Sequence, residues 1–295
     1  MPKIGFIGQG IMGKPMARNL LKAGYPLIVY DVRPQPVQEL AAVGAVPASS
    51  AREVAAHSDI IITMLPNSPE VKDAILGPAG VLEGIRPGSI VVDMSSIAPK
   101  ASQEISVELA KKGVAMLDAP VSGGEPKAIE GTLAIMVGGP EDTFNAVKDI
   151  LAKMGASVTL VGAIGSGNVT KLANQMIVAL NIAAVSEALV LAAKAGVDPQ
   201  KVYQAIRGGL AGSTVMDAKV PMMLAGNFKP GFRLGLHIKD LANALDTAHN
   251  LGVPIPLSSQ IMEIMQALKA DGKAANDHSG IVQFYESMAK VTVRR

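Results

Sequence analysis

Cysteine is absent from this chain of 295 residues. That excludes disulfides, thiolate metal sites and cysteine nucleophiles, and it suits a reducing compartment. Aromatic residues make up only 3% of the sequence, and 27 Lys and Arg against 25 Asp and Glu leave a formal charge of +2. No basic run with interleaved aromatics occurs, so neither nucleic acid nor an acidic membrane surface meets a field of one sign, and neither is an expected partner. The four histidines, His57, His237, His249 and His278, show no metal-ligand spacing, and no bound metal is expected. A Gly-x-Ser-x-Gly nucleophile turn is missing as well, since Val121-Ser122-Gly123 lacks the leading glycine. The chain opens on the strand-like run Lys3-Ile4-Gly5-Phe6-Ile7 rather than on a basic leader and an apolar segment. No signal peptide is expected, and the expected location is the cytoplasm. Only residues 176–195 raise the question of a membrane span, and Asn181, Ser186, Glu187 and Lys194 interrupt them. An ionised residue at mid-bilayer costs about 2.5–3.5 kcal/mol, whereas a helix buried in a helical domain explains the same letters without that cost.

What is present is organised in two halves. Short β-branched runs at 4–7, 27–30, 60–64, 90–93, 115–118 and 134–137 alternate with helical stretches at 13–23, 36–42, 51–56 and 69–74. Alternating β and α units predict a parallel sheet covered by helices on both faces, wound in both directions. After about residue 160 strand signals almost vanish. The glycines of Gly162-Ala163-Ile164-Gly165-Ser166-Gly167 read as a hinge, followed by a long helix over 168–195 that stops at Gly196. Asp198-Pro199 opens a further helix, because Asp caps and Pro suits the first turn. Later helices are predicted at 199–208, 214–224, 237–251, 257–270 and 279–290. The predicted architecture is an α/β Rossmann domain with a doubly wound sheet over 1–163, then an all-α domain over 164–295 that begins with the long helix and serves substrate binding and oligomerisation.

Gly8-Gln9-Gly10-Ile11-Met12-Gly13 is a complete G-x-G-x-x-G, and it follows the first predicted strand and opens a helix, which is the context that gives the motif meaning. Gly8 allows the tight turn, Gly10 lets a pyrophosphate approach the backbone, and Gly13 lets helix and strand pack closely. The helix start then offers N–H groups and a positive dipole end to the phosphates. Asp31 ends the second predicted strand at the position where a carboxylate accepts ribose hydroxyls and repels a 2′-phosphate. That favours NAD(H). Arg33, two residues on, keeps NADP(H) open, because a guanidinium binds phosphate well. Leu65-Pro66-Asn67 and Ser95-Ser96 leave the same sheet edge and suit contacts to the nicotinamide ribose; plain turn chemistry explains the letters equally well.

Asp118-Ala119-Pro120-Val121-Ser122-Gly123-Gly124 follows another strand. The serine and two glycines expose successive backbone N–H groups, a nest suited to a carboxylate, though a tight loop needs no ligand. Lys171, Asn174 and Gln175 fall three and four residues apart and share a helix face. Reducing a carbonyl by hydride needs a proton donor at the developing alkoxide. Lys171 can supply it and Asn174 can orient lysine and substrate, although most lysines on helices are simply solvated. Together these features predict hydride transfer between a nicotinamide and a small hydroxy- or oxo-carboxylic acid. A binding-only protein on the same fold would need neither Lys171 nor Asn174.

These blocks, in this order, resemble the β-hydroxyacid dehydrogenase family along essentially the whole chain. The opening block runs from Gly5 to Gly13 with Pro15-Met16. Asp118 to Gly124 with Ala128 resembles the family's substrate motif, Gly165 to Gln175 its catalytic motif, and Lys239-Asp240-Leu241 with Ala244 and Asp246 its cofactor-side helix. The resemblance implies Lys171 as general acid and base with Asn174 beside it. It further implies Ser122, Gly123 and Gly124 at the substrate carboxylate, Ser96 at the cofactor, and Lys239 at cofactor and substrate. The runs Asp93-Met94-Ser95-Ser96-Ile97-Ala98-Pro99 and Gly123-Gly124-Glu125-Pro126-Lys127-Ala128-Ile129 point within the family to tartronate semialdehyde and D-glycerate as the substrate pair; 3-hydroxyisobutyrate is the alternative. A homodimer or homotetramer packed through the α-domain is implied too. The chain departs from the common pattern at Gln9 (often Leu), at Ser96 (often Thr) and at Gln175 (often Asn).

Overall fold

The computed structural model describes residues 1–294. The chain divides into two compact units at Lys171/Leu172. The first unit holds nine strands: β1 Ile4–Ile7, β2 Leu27–Tyr30, β3 Val46–Pro47, β4 Ile60–Thr63, β5 Ile90–Asp93, β6 Ala115–Asp118, β7 Val121–Ser122, β8 Leu133–Gly138 and β9 Gly155–Gly162. Its helices are α1 Gly13–Lys22, α2 Pro34–Ala41, α3 Ala51–Ala56, α4 Ser68–Leu76, α5 Val81–Gly84, α6 Pro99–Ala110, α7 Gly124–Glu130 and α8 Glu141–Leu151. The helix α9, Ser166–Lys194, begins in this unit and runs on into the second.

β1, β2, β4, β5 and β6 pair in parallel. Such strands are buried on both faces, and their side chains divide by alternation. Ile4, Phe6, Ile60, Ile62 and Val92 enter one core with Leu20 of α1 and Leu40 of α2. Ile7, Ile61, Val91 and Met116 enter the opposite one with Val54 of α3, Ile75 of α4 and Ile105 of α6. The sheet order is β3-β2-β1-β4-β5-β6-β8-β7, with β9 paired to β8. Because β2 and β4 flank β1, the Gly8–Gly13 turn leaves the sheet where the strand order reverses. That is where doubly wound sheets bind ligands.

The expectation of a wholly parallel sheet is corrected at the far edge. There β8 runs antiparallel to β6, Asp118 facing Gly138, and to β7, Val121 facing Ile135. Only Ala119 and Pro120 separate β6 from β7, too few for a crossover, and short α7 sends the chain back against both. Three strands escape the sequence pattern. β3 and β7 are two residues long, and β9 is an edge strand largely exposed on both sides, so it lacks the apolar run of a buried strand. Helices α5 to α8 likewise lie outside the predicted helical stretches.

The second unit is helical. After α9 come α10 Pro199–Ile206, α11 Thr214–Ala225, α12 Leu234–Asn250, α13 Pro256–Ala270, a 3-10 turn at His278–Ile281 and α14 Val282–Ala289. The stretch expected as one helix over 279–290 is thus a 3-10 turn and a helix. Asp198 caps α10 by accepting from Gln200 N, with Pro199 in the first turn, and Ser213 caps α11 through Met216 N. Ala179, Ile182, Ala183 and Leu189 of α9 share a core with Met223, Leu241, Met265 and Ile281. By length and composition alone α9 could cross a membrane, with a mean hydropathy of 2.1 in its most apolar window.

Candidate active site

In the first unit, the turn after β1 is built for close approach. Gly8 has φ +94°, and a Cβ there would run into the Met64 carbonyl. A Cβ on Gly13 would strike the carbonyl of Gly8. Both glycines are therefore demanded by the chain itself. Gly10 is different: a Cβ there would meet nothing nearer than Arg33 Nη2 at 3.9 Å. Packing does not require a glycine at that point, whereas a phosphate lying against the backbone does. No side chain caps the start of α1, where Lys14 N donates to Gly10 O at 3.1 Å and Pro15 has no N–H, so any N–H offered to a phosphate comes from the turn that leads into the helix. Ile11 is exposed and Met12 half-buried. Gln9 turns its side chain inward, Nε2 donating to Phe6 O at 2.9 Å, so its backbone alone faces the turn.

Asp31 closes β2 beside this turn. Its Oδ2 accepts from Gln9 N at 2.6 Å, and its Oδ1 accepts from Arg33 N at 2.8 Å. Arg33 adds a forked pair, Nε to Oδ1 at 3.0 Å and Nη2 to Oδ2 at 3.1 Å. Burial pulls the Asp31 carboxyl upward, but the guanidinium and the two amides outweigh it and hold the group below the usual carboxylate range. Gly8 to Gly13, Asp31 and Arg33 are thus one contiguous surface, and they fit a dinucleotide. Further along the same edge Leu65 N donates to Ser95 Oγ at 2.9 Å, which ties the loop after β4 to the loop after β5. Pro66 is exposed at the tip of the first loop, and Ser96 is half-buried in the second.

The Ser122 to Gly124 segment is not one open loop. Ser122 ends β7, Gly123 has φ +138°, and Gly124, with φ +71°, opens α7. Two consecutive residues in the left-handed half of conformational space explain the paired glycines.

Lys171 lies on the second turn of α9 and is only 7% exposed, so it is not a solvated surface lysine. The start of α9 is held by a carboxylate: Asp118 Oδ1 accepts from Gly165 N and Oδ2 from Asn168 N, both at 2.7 Å. Negative charge suits a helix N-terminus. Asn168 is itself buried, Oδ1 accepting from Ile97 N at 3.1 Å and Nδ2 donating to Ser102 Oγ at 3.1 Å. A Cβ on Gly167 would collide with the carbonyls of Asp118 and Met136 at 2.5 Å each, which fixes that glycine. Asp118 and Asn168 therefore belong to the framework that presents Lys171; the sequence places each inside a family-like block but does not reveal this clamping part. The available signal was a carboxylate at a strand end paired with a Gly-x-Gly helix start. Asp93 and Asp118 sit opposite one another in β5 and β6. Burial pushes each carboxyl up to about 6, against the Thr63 hydroxyl and Ser95 amide that donate to Asp93 and the Gly165 and Asn168 amides that donate to Asp118.

In the second unit, Asn174 and Gln175 occupy the third turn of α9, and Lys239 and Asp240 the second turn of α12. Lys239 Nζ lies 2.9 Å from Asp240 Oδ1, and Asp240 is buried. Among the described residues no cluster of His, Asp and Glu suits a metal ion.

Residues 3–162 match the family described as the NAD binding domain of 6-phosphogluconate dehydrogenase, and residues 165–285 match the NAD-binding family of NADP-dependent 3-hydroxyisobutyrate dehydrogenase. The chain is 46% identical to 2-hydroxy-3-oxopropionate reductase of Escherichia coli, over 97% of this chain and 98% of that protein. It is 39% identical to human mitochondrial 3-hydroxyisobutyrate dehydrogenase, over 95% of this chain and 86% of that one. The solved structure of Mycobacterium tuberculosis 3-hydroxyisobutyrate dehydrogenase with L-serine superposes with a TM-score of 0.89 at 34% identity, covering 97% of this chain and 99% of that one. With a glycine turn shaped for a dinucleotide and a buried lysine on a clamped helix, the chain belongs to the β-hydroxyacid dehydrogenase (3-hydroxyisobutyrate dehydrogenase) family and is an NAD(P)-dependent oxidoreductase of small hydroxyacids.

Proposed function

We propose that this enzyme reduces tartronate semialdehyde (2-hydroxy-3-oxopropionate) to D-glycerate, reversibly, with NAD(H) preferred over NADP(H). The observation that carries the reading is the buried Lys171 on a helix whose start is pinned by Asp118. The choice of substrate is supported by the likeness to the Escherichia coli reductase. When bound, the nicotinamide supplies hydride to the aldehyde carbon or takes it from the alcohol. Gly8, Gly10 and Gly13, with the backbone of Gln9, Ile11 and Met12, hold the pyrophosphate. Asp31 takes the ribose diol, and Leu65, Pro66, Ser96 and Lys239 line the nicotinamide half. Ser122, Gly123 and Gly124 hold the substrate carboxylate. As the carbonyl carbon gains hydride, Lys171 gives a proton to the oxygen, so aldehyde, hydride and proton balance to the primary alcohol; oxidation reverses each transfer. Asn174 orients the reacting hydroxyl and the lysine.

The same reading includes self-association in the cytoplasm as a homodimer or homotetramer. Residues 177, 181, 184, 188 and 191 step along α9 by four and three in alternation, the spacing of a helix-pairing seam. Ile177 and Leu191 on that line are 61% and 71% exposed, and Ala184 and Ala188 are exposed with them.

The direct test follows absorbance at the NADH band with D-glycerate, tartronate semialdehyde and 3-hydroxyisobutyrate, each with NAD(H) and NADP(H). The expected result is the largest kcat/KM for the semialdehyde with NADH. A larger value for 3-hydroxyisobutyrate would transfer the substrate assignment to that acid. Lys171→Ala should lower kcat by about 10²–10⁴-fold, the range for general acid–base catalysis, while the dissociation constant of NADH stays within a few-fold. Wild-type turnover in that variant would remove the lysine from the chemistry.

A further inference from the structure

Asn174 and Lys239 are joined by two buried residues to which the proposed reaction gives no task, Gln175 and Asp240. From Lys239 Nζ the line runs 2.9 Å to Asp240 Oδ1. Asp240 Oδ2 accepts from Gln175 Nε2 at 2.6 Å, and Asn174 Nδ2 donates to Gln175 Oε1 at 2.9 Å. The chemistry of the ends fixes the middle. A carboxylate paired with an ammonium only accepts, so Gln175 must present its NH₂ group to Asp240. Its carbonyl oxygen then faces Asn174, and that oxygen can only accept. Asn174 must therefore present nitrogen to Gln175, which directs its own Oδ1 the other way. The orientation of two amides, ordinarily ambiguous between N and O, is dictated by one ion pair.

The backbone of Gln175 is held as well. Its carbonyl oxygen lies 3.0 Å from Nε2 of His237, on the first turn of α12. A carbonyl accepts, so His237 carries its proton on Nε2. In the neutral ring Nδ1 is then the acceptor in the 2.9 Å contact with Nδ1 of His278, and His278 donates. Gln175 is thus fixed at main chain and side chain by one neighbouring helix.

We propose that Gln175 is a positioning residue: through Asp240 it sets the amide of Asn174 so that Oδ1 meets a hydroxyl donor of the substrate. The inference rests on the reaction proposed above. It assigns Asn174 the part of acceptor for an alcohol or for the protonated lysine, leaving the carboxylate to other groups. A buried site that accepts from a substrate hydroxyl discriminates strongly against a wrongly turned partner, because an unmatched pair of polar groups is left without water.

The test is a cycle of variants at 175 and 240. Gln175→Leu keeps the volume and removes both bonds; kcat/KM for the semialdehyde should fall about 10–100-fold, mainly in kcat, with the NADH dissociation constant within two-fold and the thermal midpoint within a few degrees. Gln175→Glu sets a carboxylate against Asp240 and should fall at least as far. The double variant Gln175→Glu with Asp240→Asn restores a donor opposite an acceptor and again turns oxygen toward Asn174, so its kcat/KM should exceed that of Gln175→Glu at least tenfold. A merely structural role would lower the midpoint and the active fraction without this rescue. Wild-type kcat/KM in Gln175→Leu, or a folded double variant no better than Gln175→Glu, would overturn the proposal. A second readout needs no substrate: the ¹⁵N-edited side-chain NH₂ signal of Gln175 should be shifted downfield and slow to exchange, and Asp240→Asn should abolish both features. An unchanged signal would refute the relay, whereas a wild-type enzyme inert toward all three acids would refute only the reaction.

Discussion

Asp93 is a buried carboxylate whose replacement should raise stability, and only on the alkaline side. Its Oδ1 accepts from Thr63 Oγ1 at 2.8 Å and from Ser95 N at 3.1 Å, whereas Oδ2 is buried without a hydrogen-bond partner. Asp93→Asn leaves the first two bonds in place and puts an NH₂ where Oδ2 was. Burial raises the carboxyl from 3.8 to about 6, and nearby Asp118 pushes the same way. The folded protein therefore holds a proton between pH 4 and 6 that the unfolded chain releases. With more protons bound in the native state, stability falls as pH rises through that window, by about 3 kcal/mol at most once both forms are ionised. The amide does not titrate, so the variant escapes this loss. Against it stands a buried NH₂, which costs about 1–3 kcal/mol if unmatched and less if it donates to Asp118. Asp93→Asn should thus lie between neutral and about 2 kcal/mol more stable than wild type at pH 8. Its advantage should shrink by about 2–3 kcal/mol on going to pH 4. Urea unfolding of both proteins between pH 4 and 8 measures the difference directly, and common contributions from other groups cancel. Parallel profiles for the two proteins would refute a titrating Asp93.

The turn after β1 yields a pair of contrasting variants. Gly10→Ala meets open space, so its thermal midpoint should stay within about 2 °C while NADH affinity drops tenfold or more; Gly13→Ala meets the Gly8 carbonyl and should lose about 1–3 kcal/mol of stability. Asp31→Ala should weaken NADH by about 1.5–3 kcal/mol, the usual size of a hydrogen bond to a charged group, and NADPH by much less, as read by fluorescence titration. Ile177→Glu places a charge on the α9 seam, and sedimentation velocity should show a monomer where the wild type forms dimers or larger species.

The parts of the molecule legible in the sequence are those where one local rule decides. The strands β1, β2 and β5 are short apolar runs rich in Ile and Val within the parallel sheet, and their bounds, like those of β6, agree with the sequence pattern. The glycine turn is legible for the same reason, since each glycine answers a local steric demand or leaves one open surface. The edge strand β9 was illegible because exposure on both sides erases the period, and the antiparallel turn at β7 and β8 depends on how few residues join β6 to β7. Polar side chains followed the same division. Lys171 and Asn174 stand out because helix spacing puts them together, yet nothing in their spacing reveals that Asp118, 47 residues before Gly165, clamps the helix start, or that Asp240, 65 residues after Gln175, orients its amide. Such partners are chosen by burial: once a carboxylate or an amide is removed from water, every donor and acceptor near it must be matched, and that requirement spans any separation along the chain. Helix spacing can nominate the group that handles the proton. The groups that aim it are selected by the unmatched atoms of the folded interior, which is why Gln175 stands in the catalytic segment without any chemistry of its own to announce its task.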